Sequence, residues 1–211
     1  DDSVGSDTNS SGRSFWSLPS DWGYIYFTDT SDDALDIIEN AVIRYGDDAM
    51  LKIQKSSPRI RNNSIYSSGG FPLHIYDQAA PQIQNNDVWG NLTGAVKVWN
   101  AGMPTLQNNH LHQNGGFVMD IEADSQPILI ANPIDNNALS AINVSGNLTG
   151  TLTWSLNTPT LPYAPQNVTI LSGASLSMQP GTIVKFQAGA MWTVNGKLLV
   201  DGSSVNPVVF T

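Results

Sequence analysis

Asparagine recurs at Asn40, Asn63, Asn86, Asn109 and Asn132, each 23 residues after the last. Proline keeps the same step at Pro58, Pro81, Pro104 and Pro127. Three apolar columns share the register. They are Ile37, Ile60, Ile83, Leu106 and Leu129, then Val42, Ile65, Val88, Leu111 and Ile134, then Met50, Leu73, Val96, Met119 and Ile142. A 23-residue unit is too short for a helix–turn–helix repeat of about 34 residues. Within a unit the pattern is strand-like: Pro81-Gln82-Ile83-Gln84-Asn85-Asn86-Asp87-Val88-Trp89-Gly90 alternates apolar and polar positions between turn residues. Units of this length with two or three short strands predict one turn of a parallel β-solenoid. The dense leucine pattern of leucine-rich repeats is missing.

In such a solenoid the Asn column has a structural role. The chain must turn sharply between strands, and Asn tolerates left-handed backbone geometry. Stacked about 4.8 Å apart, the side-chain amides can also bond one another up the column. Asn40, Asn63, Asn86, Asn109 and Asn132 are therefore read as a ladder. Three organisational parts are expected: an acidic, irregular head with a first strand over 1–33, regular coils over 34–149, and less regular coils over 150–211. In the last part, short strands alternate with Ser-Gly, Pro-Gly, Asn-Gly and Asp-Gly turns and end on an open strand. Together they form one solenoid domain.

The composition narrows the function classes. Only 13 % of residues are charged and there are no cysteines, which excludes disulfides, zinc ribbons, iron–sulfur clusters and thiol catalysis. The net charge of −9 argues against nucleic acid as a partner. That charge is concentrated: residues 1–48 hold eleven acids and two bases, and the remaining chain is neutral. No stretch approaches the ~20 apolar residues of a membrane span. Sequons begin at Asn9, Asn62, Asn91, Asn143, Asn147 and Asn167, so N-glycosylation is chemically open to a secreted chain.

Trp22-Gly23-Tyr24-Ile25-Tyr26-Phe27, Asn40-Ala41-Val42-Ile43-Arg44-Tyr45-Gly46 and the Asn-Asn coils resemble extracellular right-handed parallel β-helix proteins of the pectin-lyase-like class. So do Leu176–Phe186, Val194–Leu198 and Asn206–Thr211. The resemblance implies an all-β, right-handed parallel β-helix at the cell surface or outside the cell. It does not imply one activity, because the family spans lyases, hydrolases, adhesins and structural proteins. In relatives the part resembling 167–211 precedes the part resembling 1–48, so the order here reads as circularly shifted. That implies head-to-tail continuation with a further copy, with Trp22, Tyr24, Tyr26, Val208 and Phe210 at the junction.

Candidate chemistry is sparse. Asp7-Thr8-Asn9-Ser10-Ser11-Gly12 resembles the start of a calcium loop. Asp7, Asn9 and Ser11 would be ligands and Asp1 and Asp2 could complete the shell, so Ca²⁺ is the one candidate cofactor. The alternative is a solvated acidic loop. His110 and His112 share one strand face but lack an evident third ligand. One coil apart, Tyr66 should stack on Trp89 and Tyr76 on Trp99, either as a platform for glycans or as cross-coil packing. Asp120, Glu122 and Asp124 lie on one face beside no obvious base, and no nucleophile elbow or phosphate loop is present. The expected function is a structural extracellular module, stacking head to tail into a fibre, sheath or tandem surface array. A carbohydrate-binding adhesin module and a polysaccharide lyase or hydrolase are the alternatives.

Overall fold

The computed structural model describes residues 17–155 and 161–211. Every strand pairing among them is parallel. The chain winds as a solenoid of about eight coils, and no helix forms among the described residues.

Three faces make up the first five coils. A long face begins with Ile25–Phe27, Leu51–Gln54, Leu73–Tyr76, Val96–Val98 and Phe117–Glu122. A second face stacks Ile37–Glu39, Arg59–Arg61, Gln82–Gln84, Thr105–Gln107 and Ile128–Ile130. A third stacks Val42–Arg44, Ser64–Tyr66, Asp87–Trp89, His110–His112 and Ile134–Asp135. Beyond residue 139 the second and third faces stop. The long face continues through Leu139–Leu148, Tyr163–Ile170, Ile183–Val184 and Val209–Phe210. A new three-stranded sheet of Thr151–Trp154, Ser175–Met178 and Lys197–Val200 packs with it.

Alternation decides which side chains enter the core. In Leu51–Gln54 and Leu73–Tyr76 every second residue is buried. Stacking then turns each inward position into a column. One runs Ile25, Leu51, Leu73, Val96, Met119, Ile142, Tyr163, Val184, Phe210 along the whole long face. Its internal members are 0–7 % exposed, whereas Ile25 and Phe210 at the two ends are each 44 % exposed.

The first coil differs from the expected register. Ile38 pairs with Ile60, Ile43 with Ile65 and Leu51 with Leu73, a step of 22 residues. The column positions are thus Ile38, Ile43 and Leu51, not Ile37, Val42 and Met50, although Met50 is itself buried in the core beside Leu51. Ile37 and Val42 point outward and are exposed. A one-residue slip exchanges the two faces of a strand, so burial of Ile38 and Ile43 fixes the shorter coil.

The same slip removes Asn40 from the ladder. At the corner between the second and third faces, Asn40, Asn62, Asn85 and Asn108 adopt left-handed backbone geometry, with φ of 55°, 57°, 55° and 55°. The residue that follows each of them turns inward. Asn63, Asn86, Asn109 and Asn132 are buried and bonded in series, while Ala41 occupies the ladder position of the first coil and donates its N–H to Asn63 Oδ1. Turning and laddering are therefore divided between two adjacent residues.

Candidate functional site

The third face carries the densest grouping of polar and aromatic side chains, and its backbone is pinned at both corners. On one side Asn63 Nδ2 donates to Asn86 Oδ1 at 2.9 Å, Asn86 Nδ2 to Asn109 Oδ1 at 2.9 Å and Asn109 Nδ2 to Asn132 Oδ1 at 3.0 Å. On the other side Asn91 Nδ2 donates to Asn114 Oδ1 and Asn114 Nδ2 to Asn137 Oδ1, both at 2.9 Å. Ser68 heads this second column, its N–H on Asn91 Oδ1 at 3.0 Å. The 23-residue step of Asn91, Asn114 and Asn137 is the sequence signal for this column.

Between these ladders two outward columns run up the face. The first is Val42, Ser64, Asp87, His110 and the second Arg44, Tyr66, Trp89, His112, Asp135. Tyr66 and Trp89 stack at 4.5 Å between ring centroids and 15° between planes. Trp89 and His112 follow at 6.2 Å and 17°. The facing planes of Trp89 are thus directed at its neighbours in the column.

His112 Nε2 lies 2.8 Å from Asp87 Oδ1, and His110 Nδ1 lies 3.6 Å from the same oxygen. His110 Nε2 meets Asp135 Oδ2 at 2.8 Å, and the two imidazoles stack at 4.0 Å. This contact holds the Asp135 carboxyl below its usual range. The three ligand atoms of Asp87, His110 and His112 lie within 4.8 Å of one another. The partner for the two histidines was missing from the sequence reading because Asp87 sits 23 residues upstream of His110. Only stacking brings them together.

The family model described as the right handed beta helix region matches residues 23–160. The chain belongs to the right-handed β-helix family. Comparison with curated proteins and with solved structures gave no match. The family fixes the hand of this β-helix and leaves its activity open.

On the long face of the β-helix, Tyr76 and Trp99 do not stack. His74 lies between them, 5.5 Å from Tyr76 and 6.1 Å from Trp99 between ring centroids. Trp99 instead lies under the ammonium of Lys97 at 3.9 Å, and Tyr76 donates its hydroxyl to Tyr26 at 2.9 Å. Lys52, His74, Tyr76, Trp99 and Asn100 line a cleft of about 190 Å³. Burial lowers the His74 pKa to about 4, with Lys97 and Lys52 acting in the same direction and Asp48 against it.

The remaining candidates fall in scattered places. Asp1, Asp2, Asp7, Asn9 and Ser11 lie outside the described residues. Of the sequons, Asn62, Asn147 and Asn167 are exposed. Asn91 is buried in its ladder, and Asn143 is bonded to Asp120 and Gln187, so a glycan on either amide would displace those contacts. Trp22 is partly buried against the core and donates its indole N–H to Arg44 O at 2.7 Å. Tyr24 lies under the ammonium of Lys52, and Tyr26 bonds Gln54 and Tyr76. Val208 packs partly on the core, and the Phe210 ring lies against Phe186.

The acids expected on one strand face are each committed to a neighbouring coil. Asp120 accepts from Asn143 Nδ2 at 2.6 Å and lies 4.0 Å from Lys97 Nζ. Glu122 accepts from Asn100 N at 2.8 Å, and Asp124 from the N–H and hydroxyl of Thr149.

Proposed function

We propose that this β-helix is a non-catalytic structural module of an extracellular fibre, sheath or tandem surface array, extended head to tail with further copies of itself. The observation that carries this reading is the inward column from Ile25 to Phe210. Its internal members are closed on both sides by the coil above and below, and its two end members are half exposed. The strands that hold them are the two edges of one continuous parallel sheet. Ile25 donates inward to Met50 O, so alternation points the Tyr26 N–H outward from its edge. Val209 and Thr211 donate inward to Thr182 and Val184, which points the Phe210 N–H out of the opposite edge. Edges left unpaired among the described residues, as these are, invite another strand. Phe210 of one copy over Ile25 of the next would continue both the column and the sheet. A contact between unlike surfaces need not close, and an open series is a filament. The commitment of Asp120, Glu122 and Asp124 to cross-coil bonds supports a structural rather than a hydrolytic role.

Sedimentation of the chain up to about 1 mM tests this, since mass action governs the distribution. A series of oligomers is expected. Ile25→Lys and Phe210→Lys each place a charge in the column at one end, and each variant alone should sediment as monomer. Mixed, they should give a dimer and nothing larger, because each retains one competent end. A wild-type chain that remains monomeric throughout refutes the proposal.

A second reading, a glycan-binding module, is favoured by the cleft between Tyr76 and Trp99, where an exposed indole, a phenol, an amide and an imidazole converge. The Tyr66–Trp89 stack supports it less, since those ring faces are turned to each other.

A further inference from the structure

We propose that Asp87, His110 and His112 form a binding site for a divalent transition-metal ion of the zinc, cobalt or nickel kind, with Asp135 orienting one of the ligands. The site is assembled by the winding of the chain. His110 and His112 are two residues apart on one strand and project from the same side, and Asp87 pairs with His110 in the coil before. The contacts from Asp87 Oδ1 are 2.8 Å to His112 Nε2 and 3.6 Å to His110 Nδ1. Ligand atoms about 2.1 Å from a tetrahedral ion lie about 3.4 Å from one another, a value bracketed by the two separations from Asp87, and the two imidazoles must turn out of their 4.0 Å stack to aim both nitrogens at one ion.

Three features favour a metal over a network of hydrogen bonds alone. The first is the donor set. Two imidazole nitrogens and one carboxylate oxygen suit zinc, cobalt or nickel, whereas calcium and magnesium require a shell of oxygens. The second is the outer contact. His110 Nε2 is held by Asp135 Oδ2 at 2.8 Å, which leaves Nδ1 as the lone-pair nitrogen turned toward Asp87. A carboxylate behind a ligating histidine fixes its tautomer and raises its basicity. The third is rigidity. Asn86 and Asn91 bracket the strand that bears Asp87, and Asn109 and Asn114 bracket the strand that bears both histidines. Trp89 stacks on the His112 ring and restrains it further. The strands that carry the ligands are therefore fixed at both ends, and binding has only the side chains to order. The half-exposed side chains of Asp87 and His110 leave room for water or an external ligand in the remaining coordination positions, while His112 is largely covered. The ion would tie two successive coils together and replace the proton shared between Asp87 and His112.

The test uses the full chain, stripped with a chelator and dialysed. It is titrated with Co²⁺ by visible absorption and with Zn²⁺ by calorimetry, with Ca²⁺ as the control cation. One equivalent of Co²⁺ should bind and be displaced by Zn²⁺, and Ca²⁺ should not displace it. Asp87→Asn, His110→Gln and His112→Gln should each weaken binding at least tenfold, and Asp135→Asn about tenfold. His74→Gln, outside the site, should bind as the wild type does. A second measurement needs no variant: Zn²⁺ should protect His110 and His112, and not His74, from acylation by diethyl pyrocarbonate, read by mass spectrometry. Absence of saturable binding up to about 1 mM, the loose end of specific affinity, overturns the proposal. So does binding that survives intact in a His110→Gln/His112→Gln double variant, or protection that is equal at all three histidines.

Discussion

Replacing Asn86 by alanine removes one rung from the middle of the first ladder, and the structure lets the cost be worked out. Asn86 Nδ2 donates to Ile60 O and Asn109 Oδ1, each at 2.9 Å. Its Oδ1 accepts from the Asn63 N–H at 3.0 Å and from Asn63 Nδ2 at 2.9 Å. Asn109 Oδ1 would keep the backbone N–H of residue 86 as a partner at 3.0 Å. The Asn63 N–H would keep nothing at that site, whereas Asn63 Nδ2 would keep its bond to Ile38 O at 3.0 Å. The orphaned Asn63 N–H costs about 1–3 kcal/mol and the lost bonds of Asn63 Nδ2 and Ile60 O about 1 kcal/mol each, so Asn86→Ala should destabilise by about 3–5 kcal/mol. That is a large fraction of the 5–15 kcal/mol typical of a whole domain, taken here only as an approximate scale. In urea, followed by tryptophan fluorescence, the midpoint should fall by about 2 M for an m value of about 2 kcal/mol/M. The control is the adjacent residue. Asn85 holds φ at 55° and is exposed, and glycine adopts that geometry freely, so Asn85→Gly should cost less than about 0.5 kcal/mol. Hydrogen exchange of the neighbouring coils would show whether the loss is local, since solenoids can open coil by coil. A cost for Asn86→Ala below about 1 kcal/mol, or an equal cost at Asn85, would show that the amide column contributes little and would refute the reasoning.

Two further outcomes are expected. His74 is held neutral in the fold down to about pH 4, while in the unfolded chain it gains a proton near pH 6.5. The unfolded state therefore binds more protons between those values, and stability should fall as pH drops from 6.5 to 4. The full shift corresponds to about 3 kcal/mol, and partial exposure of the ring reduces the expected loss to about 1–2 kcal/mol. Comparing thermal midpoints at pH 7 and pH 5 for the wild type and His74→Gln checks this, and an identical acid response in both would contradict it. If the long-face cleft binds glycans, retention on a glycan array should disappear in Trp99→Ala and persist in Trp89→Ala, and the reverse pattern would move the site to the third face.

The 23-residue step made the solenoid legible, because columns of Ile60, Ile83 and Leu106 or of Ile65, Val88 and Leu111 have no use in a helix of that period. The short strands after residue 167 were also readable, since each lies between Gly-containing turns. Register in the first coil was not. The doublets Asn62-Asn63, Asn85-Asn86 and Asn108-Asn109 allow either residue to be the column member, and only burial separates the outward turn residue from the inward rung. Asn40 matches the doublets by chemistry and step, yet a coil one residue shorter sets it at the turn. The expected Tyr76–Trp99 stack failed for a related reason: sequence spacing places two rings side by side but does not orient them, and Lys97 and His74 compete for the indole. The end of the three-faced section did leave a trace, since the 23-residue step is lost over 150–211, but the second and third faces already end at Ile130 and Asp135. The metal-ligand grouping is an intermediate case. His110-x-His112 was visible, and its third member required only a count back by one coil.

The asparagine columns also give the molecule an arrow. In each of the five amide–amide bonds the earlier coil supplies the nitrogen and the later coil the oxygen. The amide dipoles therefore add rather than cancel, and bonds in such a chain polarise one another in the same sense. Reversing a single amide would set nitrogen against nitrogen on one side and oxygen against oxygen on the other. Each coil thus inherits its orientation from the one before it, and directionality is written into the interior of the solenoid as well as into its backbone.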